Sequence, residues 1–160
     1  MLSVVIGRFQ TPYLTQGHEE LLRIAKSEGD NLLILIGVTC GVGTDKNPLD
    51  FETRKGLFKT NDLVMPLYDC PLSDKDWSNS IDKIILDLGF KKATIYGGRD
   101  NSIENYYCGK HAIKIIDNRG GESATELRKS ITPIDSSDFR AGIIYHTQRR
   151  YPIVYSTVDV

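Results

Sequence analysis

The stretch Val4-Val5-Ile6-Gly7-Arg8-Phe9-Gln10-Thr11-Pro12-Tyr13-Leu14-Thr15-Gln16-Gly17-His18 decides how the rest of this chain is read. A short apolar run breaks at Gly7, passes through a turn-rich loop and reaches Thr15-Gln16-Gly17-His18. There Glu19-Glu20-Leu21-Leu22-Arg23-Ile24-Ala25 starts a helical pattern, so the order is strand, loop, helix. Such a junction aims the N-terminal end of a helix at the carboxyl edge of a sheet, where its amides and dipole favour an anion such as a nucleotide phosphate. Thr15 and His18 are three residues apart, share a face of the first turn, and can both reach that anion. The plainer alternative is that Thr15 caps the helix and His18 packs locally.

The segment Gly7-Arg8-Phe9-Gln10 followed by Thr15-Gln16-Gly17-His18 resembles the glycine-arginine-phenylalanine-glutamine and (H/T)xGH signature of the nucleotidyltransferases. Within them it is similar in particular to archaeal-type nicotinamide-mononucleotide adenylyltransferases and their fusions to Nudix hydrolases. Two features depart from the common pattern: Thr15 stands where the first histidine is usual, and the loop is longer. Threonine also occurs there in related pantetheine-phosphate adenylyltransferases, which loosens the choice of acceptor.

The chain has 160 residues, enough for one domain that buries roughly two thirds of its unfolded surface. Its 20 basic and 21 acidic side chains leave a net charge of -1, which argues for a small-molecule partner over nucleic acid or an anionic membrane. Cys40, Cys70 and Cys108 are widely spaced and form no C-x-x-C pair, so neither a disulfide framework nor a zinc site is expected. A reducing cytosol fits them, and the apolar run before Arg8 is too short for a signal peptide or a membrane span.

Taken in order, Leu2 to Ile6 is the first strand, Gln16 to about Ser27 the first helix, and Asn31 to Gly37 a central parallel strand covered on both faces. The glycine-rich connection Val38 to Pro48 lacks the G-x-x-x-x-G-K-[ST] spacing of a P-loop and reads as a mobile connection as readily as a site loop. Asp50 is placed to cap a helix running to about Lys59, with Arg54 in its first turns. Leu63 to Leu67 is a third strand. Asp74 then caps a helix with apolar Trp77, Ile81, Ile84, Ile85 and Leu88, ended by Gly89. Ala93 to Tyr96 is a fourth strand closed by Gly97-Gly98-Arg99-Asp100, either a site loop at a carboxyl edge or a tight turn with a surface ion pair. Ile113 to Asp117 is the fifth. It leads into Glu122-Ser123-Ala124-Thr125-Glu126-Leu127-Arg128, a hydroxyl-rich helix start that can offer Ser123, Thr125 and Arg128 to phosphate or be a plain capped helix. Asp138 to about Arg150 reads as a closing helix.

These elements predict an α/β, Rossmann-like three-layer domain over residues 1–150, with about five parallel strands in the order 3-2-1-4-5, and an extended tail over 151–160. The resemblance covers essentially the whole chain. Ser123, Thr125 and Arg128 match the family's second signature, and residues 151–160 resemble the linker by which the fused enzymes enter their Nudix domain. It implies an adenylyltransferase that makes NAD and pyrophosphate from ATP and nicotinamide mononucleotide, as a homo-oligomer, with Mg²⁺ carried on ATP and no protein cage for the metal. It implies catalytic roles for His18, Arg8, Thr15 and Arg128, and ATP contacts from Gly7, Phe9, Gln10, Gly17, Gly97, Arg99, Asp100, Ser123 and Thr125. The loop at Gly97 and the aromatic segment with Tyr106 and Tyr107 would face the nucleotides. Acceptor contacts fall to Arg54, Asp74 and Trp77, with Trp77 stacking on the nicotinamide ring; without the resemblance, Arg54 reads as a solvated helix arginine and Trp77 as core. The rival expectations are a transferase for another phosphorylated acceptor such as phosphopantetheine, and a non-catalytic nucleotide sensor.

Overall fold

Five parallel strands follow the apolar runs: β1 (Leu2–Gly7), β2 (Asn31–Val38), β3 (Leu63–Tyr68), β4 (Ala93–Gly98) and β5 (Ala112–Ile116). Helices α1 (Gln16–Glu28), α2 (Phe51–Lys55), α3 (Asp74–Asp87) and α4 (Ile103–Tyr106) connect them, and α5 (Ala124–Arg128) follows β5. The structure is a computed structural model and describes residues 1–39, 47–99, 103–117 and 124–129. The expectations for the 40–46 part of the glycine-rich connection, for Asp100 and Ser123, for the Asp138–Arg150 helix and for the 151–160 tail lie outside the described residues.

The strand order is β3-β2-β1-β4-β5, as the sequence predicts. In register, Val5 of β1 sits between Ile34 of β2 and Tyr96 of β4. Because successive side chains leave a strand on opposite faces, the unbroken apolar runs of β1 and β2 feed two cores. Val5, Ile34, Ile36 and Tyr96 pack with Leu21, Leu22 and Ala25 of α1 and Phe51 of α2. Val4, Ile6, Leu33, Leu35 and Ile95 pack with Ile81 and Ile85 of α3 and Ile103 of α4. Each fully buried Val, Leu or Ile is stabilised by about 1.5–3 kcal/mol of transfer free energy, so a β1 or β2 side chain cannot be exchanged for a polar one without losing a layer.

Four local differences from the sequence reading have physical causes. Helix α2 stops at Lys55, short of Lys59: the Gly56 N–H bonds back to both Glu52 and Arg54 carbonyls, and the next amides bond three residues back, from Leu57 to Arg54 and from Phe58 to Lys55. That tightened turn brings Phe58 into the core beside Phe9. The N-cap of α3 is Ser73, not Asp74, since the Ser73 hydroxyl accepts the Asp76 N–H at 3.0 Å; Asp74 is the first helical residue, where its charge suits the helix dipole. The glycine pair closes β4 from inside the ladder, with Gly97 and Gly98 opposite Ile115 and Ile116. A Cβ on Gly97 would stand 2.6 Å from Ile103 Cδ1, so the glycine admits the short helix α4, which the sequence reading did not foresee, onto the sheet. Pro66 is accommodated because β3 is an edge strand.

Candidate active site

All strands end at the same edge, and the residues just beyond those ends build the site. Gly7 closes β1, Arg8 follows, and Phe9 turns the chain with φ 51°, a left-handed backbone that a phenylalanine adopts only under tertiary compulsion. The compulsion is visible in its packing. Phe9 is only 3% exposed, and its ring meets Phe58 edge-on with centroids 4.9 Å apart and lies 5.0 Å from the His18 ring. A Cβ on Gly7 would come within 2.9 Å of that same ring, so Gly7 is required where the chain folds back.

At the start of α1, the Thr15 side chain accepts the His18 N–H at 3.1 Å and His18 Nδ1 accepts the Thr15 N–H at 3.1 Å, a reciprocal capping box. The capping expected on the plainer alternative is present, and it fixes the imidazole chemically. With Nδ1 an acceptor, the ring proton sits on Nε2. Burial lowers the His18 pKa from 6.5 to about 4, so the ring is a neutral donor at physiological pH. Gly17 is buried in this first turn.

A cleft of about 540 Å³ opens at the carboxyl edge, a size suited to a nucleotide-sized ligand. Ile6, Gly7 and Arg8 form its floor, Asp69, Cys70 and Pro71 one rim, and Asp74, Trp77 and Tyr106 the outer wall. Arg8 Nη2 bonds both carboxylate oxygens of Asp69, each at 2.9 Å. Trp77 is half-buried, packed against the α3-side core while lining the cleft, so its core and ligand-facing readings are both compatible with its position.

The outer wall is pinned from behind. Ser78 donates to the Asp74 carbonyl at 2.7 Å and accepts the Cys108 N–H at 2.9 Å. Asp82 accepts the Tyr107 hydroxyl at 2.5 Å and the Lys110 N–H at 3.1 Å, while the Tyr107 oxygen accepts the His111 N–H at 3.0 Å. Burial, reinforced by the bond to Asp82, pushes the Tyr107 phenol well above its ordinary range. His111 Nδ1 accepts the Ala93 N–H at 3.2 Å, and burial lowers its pKa despite Asp82 nearby. Tyr107 is thus a buried strut, whereas its neighbour Tyr106 faces the cleft.

Of the residues expected to be catalytic or to contact ATP or the acceptor, Gly7, Arg8, Asp74 and Trp77 line the cleft, whereas His18, Thr15, Phe9 and Gly17 do not, and the other described ones are placed as follows. Gln10 is buried and clamps one residue of the α2 approach, with Nε2 donating to the Leu49 carbonyl at 3.0 Å and Oε1 accepting the Leu49 N–H at 2.9 Å. Arg54, assigned to acceptor phosphate by the resemblance, is 2% exposed and does not line the cleft. Its guanidinium donates to the carbonyls of Asp50 at 3.0 Å, Arg8 at 2.9 Å and Gly37 at 2.6 Å, bracing the ends of β1 and β2 from beneath. Gly97 packs against Ile103, and Arg99 pairs with Asp117 at 3.9 Å beyond β4 and β5. Thr125 and Arg128 lie on α5, with Arg128 half-exposed. The sequence reading missed Asp69 and Cys70; the signal for both was their place directly after a parallel strand, where ligand-facing residues collect. Among the described residues, no group of three or more His, Cys, Asp or Glu side chains is arranged to hold a metal ion, and no helix is long and apolar enough to cross a membrane.

Strand order, parallel pairing and the carboxyl-edge cleft define an α/β Rossmann-like fold. The chain is similar to the solved structure of a bifunctional NMN adenylyltransferase/ADP ribose pyrophosphatase from Francisella tularensis, with a TM-score of 0.66 and 24% identity over 98% of this chain and 45% of that one. A second structure of such an enzyme from Francisella tularensis, complexed with AMP and manganese, gives a TM-score of 0.60 at 24% identity over 97% and 44% of the two chains. A NadR protein in complex with NAD and AMP-PNP gives 0.52 at 16% identity over 96% and 44%. The chain spans less than half the length of these structures. No protein-family profile and no curated protein sequence matches it.

Proposed function

We propose that this chain is an adenylyltransferase that joins ATP to nicotinamide mononucleotide, releasing NAD and pyrophosphate. One observation carries the reading: Arg8 and Trp77 line the same carboxyl-edge cleft, a cation for phosphate beside an aromatic face for a flat cationic ring. The names of the similar structures support the same reaction class.

In this reaction a phosphate oxygen of the mononucleotide attacks the α-phosphorus of ATP. The new P–O bond forms as the bond to pyrophosphate breaks. The nucleophile is already an anion, so no side chain has to remove a proton; the protein's task is alignment and stabilisation of charge on the phosphorus and the leaving group. Arg8 supplies a cation at the floor of the cleft, and His18 supplies the neutral Nε2–H donor that its capping bond enforces. Arg128, Ser123 and Thr125 are assigned to the ATP phosphates on their match to the second signature, and ATP enters with its own Mg²⁺ as substrate. Asp74 and Trp77 stand on the first turn of α3 as the acceptor-facing wall.

Thr15 in place of the first histidine favours a second reading, transfer to phosphopantetheine or another phosphorylated acceptor. Pyrophosphate release from ATP with a panel of phosphorylated acceptors separates the two. Preference for nicotinamide mononucleotide supports the first, preference for phosphopantetheine the second, and ATP binding without any pyrophosphate release identifies a nucleotide sensor.

A further inference from the structure

Asp69 follows directly on β3, its backbone N–H donating to the Val38 carbonyl at the end of β2 at 2.9 Å. This backbone bond places its carboxylate over the cleft, where both oxygens accept from Arg8 Nη2 at 2.9 Å. The Arg8 guanidinium lies across the end of β2, with Nη1 3.4 Å from where a Cβ on Gly37 would stand, so a side chain there would crowd it. The arginine that carries the first signature is therefore held across three strand ends by an internal anion. Both partners line the cavity, and both remain partly accessible, at 49% and 27% side-chain exposure.

We propose that Asp69 is a positioning residue that acts through Arg8: its carboxylate holds the guanidinium in the empty cleft as a stand-in for a ligand phosphate and gives it up when that phosphate arrives. This rests on the reading that the cleft receives a nucleotide phosphate. Both carboxylate oxygens draw on the one nitrogen Nη2, so a phosphate that takes Nη2 does so by displacing the carboxylate, an exchange of one ion pair for another. The exchange weakens affinity by the strength of the internal pair, which for a partly exposed pair corresponds to about two- to fivefold in a dissociation constant. It also rejects ligands whose anionic group cannot displace a carboxylate, such as a neutral nucleoside.

The test measures dissociation constants for ATP and for inorganic pyrophosphate, without acceptor, on four proteins: wild type, Asp69→Asn, Arg8→Gln and the double variant. Asn is isosteric with Asp, and the bond to Val38 is made by the backbone, so the fold should persist; Asp69→Ser is the second variant if it does not. Asp69→Asn is expected to bind both probes about two- to fivefold more tightly, with Asp69→Glu returning toward wild type. In the Arg8→Gln background the same change should leave both constants unaltered. A gain of equal size in that background would mean a general field effect of one negative charge and would overturn the proposal. So would unchanged ATP affinity with a raised KM for nicotinamide mononucleotide, which would make Asp69 an acceptor contact, and so would a wild type that binds neither probe. Binding that behaves as expected in a protein with no transferase activity would overturn the reaction assigned above and leave this inference standing.

Discussion

The backbone N–H of Thr15 and the imidazole of His18 are bonded at 3.1 Å through Nδ1, which fixes both the tautomer and the charge of the histidine that carries the first signature. Protonation at Nδ1 would break that bond and put a charge on a largely buried ring beside Phe9.

A pH dependence of stability follows. The folded pKa of about 4 lies below the ordinary 6.5, so the contribution is complete above pH 6.5 and is lost as pH falls from 6.5 toward 4, where only the unfolded chain takes up the proton. At pH 4.5 the loss should approach about 2–3 kcal/mol. Urea unfolding of wild type and His18→Ala at pH 7.5 and 4.5 checks this: the variant should lose less on acidification, and an identical loss would exclude His18 as the source.

His18→Ala should lower kcat by roughly 100-fold, the size expected when a donor aimed at transition-state charge is removed. The loss of half the capping box should cost only about 1 kcal/mol of stability. The pH profile of wild-type kcat should show no limb near 6.5, because the group that would produce it is neutral throughout. A near-normal kcat in the variant would remove His18 from the mechanism.

Trp77→Ala is expected to raise the KM for nicotinamide mononucleotide about five- to thirtyfold while changing that for ATP little, since a desolvated cation–aromatic contact is worth about 1–2 kcal/mol in ground and transition states alike. Its partial packing against the α3-side core adds a loss of melting temperature smaller than a fully buried tryptophan would give. Steady-state kinetics with both substrates, on a protein shown to be folded, decides; equal KM changes for both would make Trp77 purely structural.

Arg54→Met should destabilise the fold by about 2–4 kcal/mol, because the carbonyls of Arg8 and Gly37 lose a charged donor inside the protein. Arg54→Lys should recover part of this at most, as one ammonium cannot reproduce three divergent bonds. Thermal melts give the stability and substrate titration the KM. A raised acceptor KM in Arg54→Lys at unchanged melting temperature would instead place the arginine on ligand phosphate.

Much of the architecture was legible because it is written in local pattern. Unbroken apolar runs such as Leu32-Leu33-Ile34-Leu35-Ile36 can be satisfied only by a strand covered on both faces, and each alternates with an amphipathic helix. Boundaries were less legible where a neighbour outside the segment decided them: α2 ends early to deliver Phe58 to Phe9, and β4 runs through its glycines in register with β5 while Gly97 leaves room for Ile103. The site divides in the same way. The Thr15–His18 junction is local and could be read from spacing, whereas the separate duties of Gln10 and Arg54 as braces could not.

The sequence by itself thus determined the strand-helix alternation, the parallel sheet, and the helix start that presents His18, because each depends on residues within one or two turns of each other. Only the tertiary structure decided which residues meet at the carboxyl edge. Arg8 reaches Asp69 across 61 positions, Gln10 reaches Leu49 across 39, and Arg54 reaches Arg8 across 46. Such pairs form when parallel crossovers return successive strand ends to one edge, and no local propensity records which side chains will then face each other.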